Sequence, residues 1–355
     1  MKICLLTPDS PYNQSISNGF ISYVKEISDN LSTHGHDVIV LGFSKKVSKE
    51  QKLRIGGVEY WCLPDKGWSH LLKHLVILKF LPMLRELDGK VDIFHGMGGY
   101  ALPLIFINKS KKVATLHGSE PFIGTLWLEK KIRIIFGKII YERMNGLVFI
   151  SPVIAKIANV FFNISKIPQI TERAVFQKIM TRKKTRSDKY IKIIAASRIE
   201  KIKNLENLVI AVKALEKKYP IVLEIFGAGS VTDKIDSKYL RGEVDQETLW
   251  NKMSLSDIFV MPSISEVRPN SLLEAMQIGL VPMITRMETI DYIVEGKNGF
   301  LIDSKSSQDI YRALQGAIHN RARWNQIGHN ATQTVLDLRD ESKHLENFYK
   351  ELVKK

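Results

Sequence analysis

Residues 263–279, Ser-Ile-Ser-Glu-Val-Arg-Pro-Asn-Ser-Leu-Leu-Glu-Ala-Met-Gln-Ile-Gly, are the stretch around which the rest of the chain is read. An apolar run from Asp257 to Met261 precedes them and reads as a buried parallel strand. Pro269 suits the first turn of a helix, where its missing N–H costs nothing. From Asn270 onward Leu272, Leu273 and Met276 supply one apolar stripe, which predicts an amphipathic helix. A strand, a short loop and a helix N-terminus together present backbone N–H groups in a way that suits phosphate. Glu266 falls in the loop and Glu274 on the second helical turn, so two carboxylates accompany those donors. The plainer reading is a capped strand–helix unit with two surface glutamates. The remainder of the chain has to decide between them.

The same alternation of strand and helix extends in both directions. Towards the N-terminus, residues 2–6 read as a strand closed by Thr7-Pro8, and Asn18-Gly19 opens a helix with Phe20, Val24, Ile27 and Leu31 on its apolar side. Further strands are expected at Asp37–Leu41, Val58–Leu63, Asp92–His95, Lys112–Leu116 and Gly146–Ile150, with a helix from Trp68 to Leu87 interrupted by Pro82. The strand–glycine loop–helix–strand order is that of a doubly wound unit. After the basic run between Gln177 and Lys189, a second set begins. Its strands are expected at Ile191–Ala196, Ile221–Phe226, Ile258–Met261, Val281–Thr285 and Gly299–Ile302, and Ser307–Lys355 reads as mostly helical. The expected architecture is α/β, with two Rossmann-like doubly wound domains facing across a cleft. Residues 1–165 form the first and 190–335 the second, joined by a linker at 166–189; a last helix at about 336–355 packs back on the first domain.

The chain has 355 residues, enough for two cores, and an ordinary balance of apolar and charged residues. Its net charge of +15 calls for an anionic partner: nucleic acid, a membrane surface or phosphorylated ligands. Cys4 and Cys62 lie in apolar runs and make no metal pattern. No stretch approaches the roughly 20 apolar residues of a membrane span, and the first apolar run is too short for a cleavable signal.

Ala196-Ser197-Arg198-Ile199-Glu200-Lys201-Ile202-Lys203-Asn204 follows the first strand of the second set. Arg198 and Lys203 therefore sit at the carboxyl edge of the sheet, where a guanidinium can clamp a phosphate and an ammonium can hold a second oxygen. Both also read as solvated cations of a basic protein.

Arg198 and Lys203, then Gly227-Ala228-Gly229, then Glu266 and Glu274 with seven residues between them resemble the second domain of retaining glycosyltransferases of the GT-B fold. More narrowly they resemble family 4, which carries an E-x7-E signature. Asp257 to Glu266 repeats that family's Asp-x4-Pro-Ser-x2-Glu pattern, and Glu295-Gly296-Lys297-Asn298-Gly299-Phe300-Leu301 its closing "EG-x-NGFL". The first half matches more thinly. Asn18-Gly19 stands where the family has two glycines, and His34-Gly35-His36-Asp37-Val38 resembles "x-GH-x-V". Val113 to Gly118 resembles a strand ending in an active-site histidine, here His117, while His95 ends another strand.

The resemblance implies transfer of a sugar from a nucleotide diphosphate sugar to a saccharide acceptor, with retention of configuration. Glu274 would hold the ribose hydroxyls. Arg198, Lys203 and the N–H groups near Asn270 and Ser271 would hold the diphosphate, and Glu266 would orient the transferred sugar. His117 would face that sugar, Gly19 would let the donor or acceptor come close, and Gly227 with Arg241 would border the base. No Asp-x-Asp occurs in the sequence, so no metal and no cofactor is expected.

The stretch Trp127–Met144 is expected to turn Leu128, Ile132, Ile135, Phe136 and Ile139 to the core and Trp127, Lys131, Ile134, Lys138 and Tyr141 outward. Basic and apolar residues on one outer face suit an anionic lipid surface. The acceptor is accordingly expected to be lipid-linked, the protein peripheral on the inner face of the cytoplasmic membrane, and its role the synthesis of surface polysaccharide, lipopolysaccharide or glycolipid. A sugar-nucleotide epimerase of the same fold is the enzymatic alternative. A nucleic-acid binder is the other class, disfavoured because no aromatic-interleaved binding module is present.

Overall fold

A computed structural model describes residues 1–12, 19–68, 75–117, 127–171, 189–340 and 343–354. The chain divides into two compact units, Met1–Gln177 with Glu341–Lys355, and Lys178–Asp340.

In the first unit the elements are β1 (Lys2–Asp9), α1 (Gly19–Thr33), β2 (Asp37–Ser44), β3 (Gln51–Ile55), β4 (Val58–Pro64), a 3-10 turn at Ile77–Phe80 and α2 (Leu81–Leu87). Then come β5 (Ile93–Met97), a 3-10 segment at Gly98–Phe106, β6 (Lys111–Leu116), α3 (Trp127–Tyr141), β7 (Gly146–Phe149), α4 (Pro152–Phe162) and β8 (Gln169–Thr171). Among the described residues the strands form one sheet in the order β3-β4-β2-β1-β5-β6-β7-β8, parallel except for β3 against β4. Ile3, Cys4, Leu5 and Leu6 are fully buried, as a strand covered on both faces requires.

Of the helix expected from Trp68 to Leu87, residues 69–74 lie outside the described residues; further on, a 3-10 turn at Ile77–Phe80 breaks it just before Pro82, which sits in the first turn of α2, where its absent N–H leaves nothing unpaired. Two details depart from expectation. β3 and β4 form a hairpin over Gly56-Gly57, whose φ values of +58° and +87° suit a two-residue turn of the primed type. In α3 the buried residues are Gly137, Ile140 and Tyr141, while Ile135, Phe136 and Ile139 are exposed, which reverses the expected faces at these positions. Gly137 and Tyr141 seat Phe162 of α4, so that contact sets the rotation of the helix. Trp127, Leu128, Lys131 and Ile132 have side chains outside the described residues, as do Asn18 and the basic run 177–188.

In the second unit the elements are β9 (Ile191–Ala196), α5 (Leu205–Leu215), β10 (Ile221–Phe226), β11 (Leu240–Gly242), α6 (Gln246–Ser254), β12 (Ile258–Met261), α7 (Asn270–Ile278), β13 (Val281–Thr285), β14 (Phe300–Ile302), α8 (Ser307–His319) and α9 (Trp324–Asp340). The described strands lie in the order β11-β10-β9-β12-β13-β14, and every pair is parallel. The core joins Ile193, Ile225, Ile258, Val260, Met283 and Ile302 to Leu208, Val212, Leu314 and Trp324. Asn298 pins the turn before β14: its side chain accepts from the Val294 amide and donates to Tyr292 O and Thr334 Oγ1. The 295–301 motif therefore acts as a structural clasp.

The last helix, α10 (Lys343–Lys354), belongs to the first unit. Phe348 and Leu352 lie on Gly146, where an added Cβ would come within 2.7 Å of either side chain. Tyr349 is fully buried against His95 of β5. Among the described residues no helix is long and apolar enough to cross a membrane.

Candidate functional site

The strand order of the second sheet reverses at one place. From β9 the chain steps outward to β10 and β11, then returns to pair β12 with the other edge of β9. Right-handed crossovers put the flanking helices on opposite faces there, which leaves a crevice beyond the carboxyl ends of β9 and β12. The loops that follow these two strands are Ser197–Asn204 and Pro262–Pro269, the segments that carry Arg198, Lys203 and Glu266.

One backbone bond joins the two loops, the Ile264 amide donating to Ile202 O at 2.7 Å, and Thr289 Oγ1, from beyond β13, donates to Glu266 O at 2.5 Å. Asn204 closes the first loop at φ +57°, a conformation few residues other than glycine tolerate, and its side chain donates to Lys305 O at 2.9 Å. Lys203 Nζ thereby lies 2.5 Å from Glu266 Oε1, with both side chains largely buried. An ammonium has three donors and this oxygen takes one, so the others can address a ligand oxygen. The pair was not foreseen as a pair, because 63 positions separate its members.

Gly227 and Gly229 leave β10 against the same loop. At Gly227 φ is +130° and an added Cβ would lie 2.0 Å from Ser197 O; at Gly229 it would lie 2.3 Å from Ile199 O. These glycines let the backbones approach, and Ile199 N donates to Ala228 O at 2.9 Å in consequence. Gly227 thus serves the framework of the crevice.

α7 begins at Asn270, with Pro269 as its N-cap, and the amides of Leu272 and Leu273 return to Pro269 O. Asn270 and Ser271 occupy the first turn, whose amides precede the intrahelical ladder. One turn on, Glu274 is 9% exposed, and Gln246 Nε2 of α6 donates to its Oε2 at 2.9 Å. Burial pushes its carboxyl up to about 7, against the opposing pull of the Trp250 and Gln246 side-chain donors and the Arg268 charge. Gln246 and Trp250 are the neighbours that reading the sequence missed. Gln246 and Trp250 lie one helical turn apart on α6, a spacing indistinguishable from any helix face.

Other expected residues are engaged elsewhere. Arg198 is exposed and pairs with Glu200 at 2.7 Å, and no contact joins it to Lys203 or Glu266. Arg241 lies on the edge strand, bound to Glu224 at 2.9 Å and to the carbonyls of Lys238 and Leu240.

In the first unit the strand order reverses at β1 and β5. His117 follows β6 beside that point, half-buried, with Nε2 3.4 Å from Met97 Sδ at the end of β5. The Tyr23 ring of α1 meets it edge-on at 4.6 Å. Gly19 is the first residue of α1. His95 is different. It is fully buried, its Nδ1 lies 2.5 Å from the Tyr349 hydroxyl and its Nε2 2.5 Å from Thr115 Oγ1. Burial lowers its pKa to about 3, so it stays neutral and joins β5, β6 and α10.

Comparison with known proteins gives a consistent result. Residues 177–334 match the family model described as Glycosyl transferases group 1, and residues 17–168 match that described as Glycosyltransferase Family 4. An uncharacterized glycosyltransferase of Methanocaldococcus jannaschii is 25% identical over 353 residues, spanning 89% of this chain and 90% of that one. Sucrose-phosphate synthase from Thermosynechococcus elongatus superposes with a TM-score of 0.82 at 15% identity, over 99% of this chain and 98% of that one. A mutant S. aureus TarM in complex with Fondaparinux, alpha-GlcNAc-glycerol and UDP gives 0.73 at 13%, over the whole of both chains.

Proposed function

We propose that the chain is a glycosyltransferase of the group 1 type on a GT-B fold, moving a sugar from a donor to an acceptor, and that the donor is a nucleotide diphosphate sugar held by the second unit. The observation that carries this reading is the Lys203–Glu266 pair in the crevice between β9 and β12, next to the N-terminus of α7. A cation and a helix N-terminus suit a diphosphate, and a carboxylate suits sugar hydroxyls. The TarM structure, which holds UDP, supports the same class of donor.

In this account Lys203 binds the diphosphate together with the amides of Asn270 and Ser271, and Arg198 joins them by exchanging Glu200 for phosphate. Negative charge grows on the departing phosphate as the glycosidic bond breaks, and these groups stabilise it most at that moment. Glu266 orients the transferred sugar while Lys203 fixes its carboxylate. Glu274 accepts hydrogen bonds from the ribose hydroxyls, held in place by Gln246. His117 acts on the reacting sugar. Gly19 keeps the start of α1 clear for the donor or acceptor, and Gly227 with the Arg241 strand borders the base. Because cations and a helix terminus cover the phosphate charge, transfer proceeds without a metal ion; retention of configuration is carried over from the resemblance to family 4 alone. The acceptor is a lipid-linked saccharide at the inner face of the cytoplasmic membrane, and the product a surface polysaccharide or glycolipid; the net charge of +15 supports an anionic surface there.

The test is release of nucleoside diphosphate from a panel of nucleotide sugars. Wild type is expected to release it from at least one donor, with chelator present. Glu266→Ala and Lys203→Ala should lower kcat by roughly 100-fold or more, as expected for loss of a transition-state contact. Unchanged turnover in both variants would refute the assignment.

A further inference from the structure

Five large apolar side chains stand in solvent on the helices α3 and α4. Ile135 is 58% exposed, Phe136 48%, Ile139 37%, Val160 77% and Phe161 41%. The inner sides of both helices are already filled: Phe162 seats on Gly137 and Tyr141, and Ile154 and Ala158 are buried. The connections β6–α3–β7 and β7–α4–β8 run between neighbouring parallel strands in one direction, so both helices cover the same face of the sheet. The exposed residues thus share the outside of one helical layer, an arrangement a protein in water alone does not favour.

The charge of the layer names its partner. Between Trp127 and Lys166 the sequence holds seven Lys and Arg (Lys130, Lys131, Arg133, Lys138, Arg143, Lys156, Lys166) against two Glu (Glu129, Glu142) and no Asp, a net of +5. Lys138, Arg143, Lys156 and Lys166 are exposed. The Lys138–Glu142 pair, at 3.7 Å and half in solvent, does little to neutralise them. A second copy of the same face would meet this charge with its own. Exposed apolar side chains on helices and loops that also carry exposed cations match instead the boundary of an anionic bilayer, whose phosphates take the cations and whose acyl region takes the apolar side chains.

We propose that the outer face of the α3–α4 layer docks onto a bilayer of anionic phospholipid, with Ile135, Phe136, Ile139, Val160 and Phe161 entering it. This deepens the reading of a lipid-linked acceptor and names the surface that meets the lipid, but its chemistry stands without the donor assignment. The experiment is co-sedimentation of the whole chain with vesicles of phosphatidylglycerol and phosphatidylcholine, beside vesicles of phosphatidylcholine alone. Wild type is expected to bind the anionic vesicles, and 0.5 M salt to weaken that binding. The double variant Phe136→Ser, Phe161→Ser should lose binding by roughly tenfold or more, since both rings leave the interface. Lys138→Glu with Lys156→Glu should lose it too, without touching an apolar residue. Nucleotide-sugar hydrolysis in detergent should be unchanged in both, which separates failure of docking from failure of the catalytic reading. Equal vesicle binding by wild type and both variants would overturn the proposal. So would a wild-type dimer in light scattering that the Phe136, Phe161 variant dissolves, because the face would then be covered by a second copy.

Discussion

Glu274 ionises near 4.5 when free, and burial beneath α6 moves it to about 7. Between those values the folded chain keeps a proton that the unfolded chain has released. Stability therefore falls as pH rises from 4.5 to 7, and the loss persists above 7. Glu274→Gln cannot ionise, so relative to wild type it should gain on the order of 3 kcal/mol between pH 4.5 and pH 8. Urea denaturation at the two pH values reads this directly, and a difference flat in pH would contradict it. Donor affinity should move the other way, rising through pH 7 as the carboxylate becomes the better acceptor for ribose hydroxyls. Gln246→Leu removes a donor that favours the ionised form, and should shift that rise to higher pH. Lys203 and Glu266 make a second test. Lys203→Met leaves a largely buried carboxylate unpaired and should cost about 3 kcal/mol, whereas Lys203→Met with Glu266→Gln should recover part of it. The two glutamates and Lys203 stand out in the sequence through the spacing that resembles family 4, and they lie in the loops after β9 and β12 and on α7. Their immediate partners do not stand out, since Gln246 lies 28 positions from Glu274 and carries no local mark.

At the scale of elements, the continuous apolar runs Ile258–Met261 and Val281–Thr285 announced parallel strands buried on both faces, and they are that. β3 was missed because four of its five residues are exposed and none alternates into the core. α3 was read with its faces reversed because apolar residues occur around much of its circumference, and only the seating of Phe162 on Gly137 chooses the buried side. The glycine turn after β10 yields a prediction here. Gly227→Ala must place its Cβ against Ser197 O at φ +130°, so the loops carrying Lys203 and Gly227 must part. The expected loss is at least about 2 kcal/mol of stability together with weaker donor binding, measured by denaturation and titration. The docking of α10 yields another. Tyr349→Phe removes a partner of fully buried His95 and should cost about 1–2 kcal/mol in thermal denaturation with no change in donor KM. A change in KM without a change in stability would place α10 in substrate binding instead.

The whole molecule repeats one arrangement. Each unit reverses its strand order once, and in each the residues singled out for chemistry follow strands at or beside that reversal: Lys203 and Glu266 after β9 and β12, His117 after β6. This much was legible from the alternation of strand and helix, since doubly wound sheets bind ligands there. The identity of the sugar and the base was not, because glycines and backbone groups border the crevice and leave few distinctive side chains. The central claim is that the second unit binds a nucleotide diphosphate sugar through Glu274 and Lys203. Isothermal titration of wild type, Glu274→Ala and Lys203→Ala with UDP-, GDP-, ADP- and dTDP-glucose tests it most directly. At least one should bind wild type, and each substitution should weaken that binding by roughly 10- to 100-fold, the worth of a charge-assisted hydrogen bond. Equal affinity in wild type and both variants, or no binding of any of the four, would contradict the account.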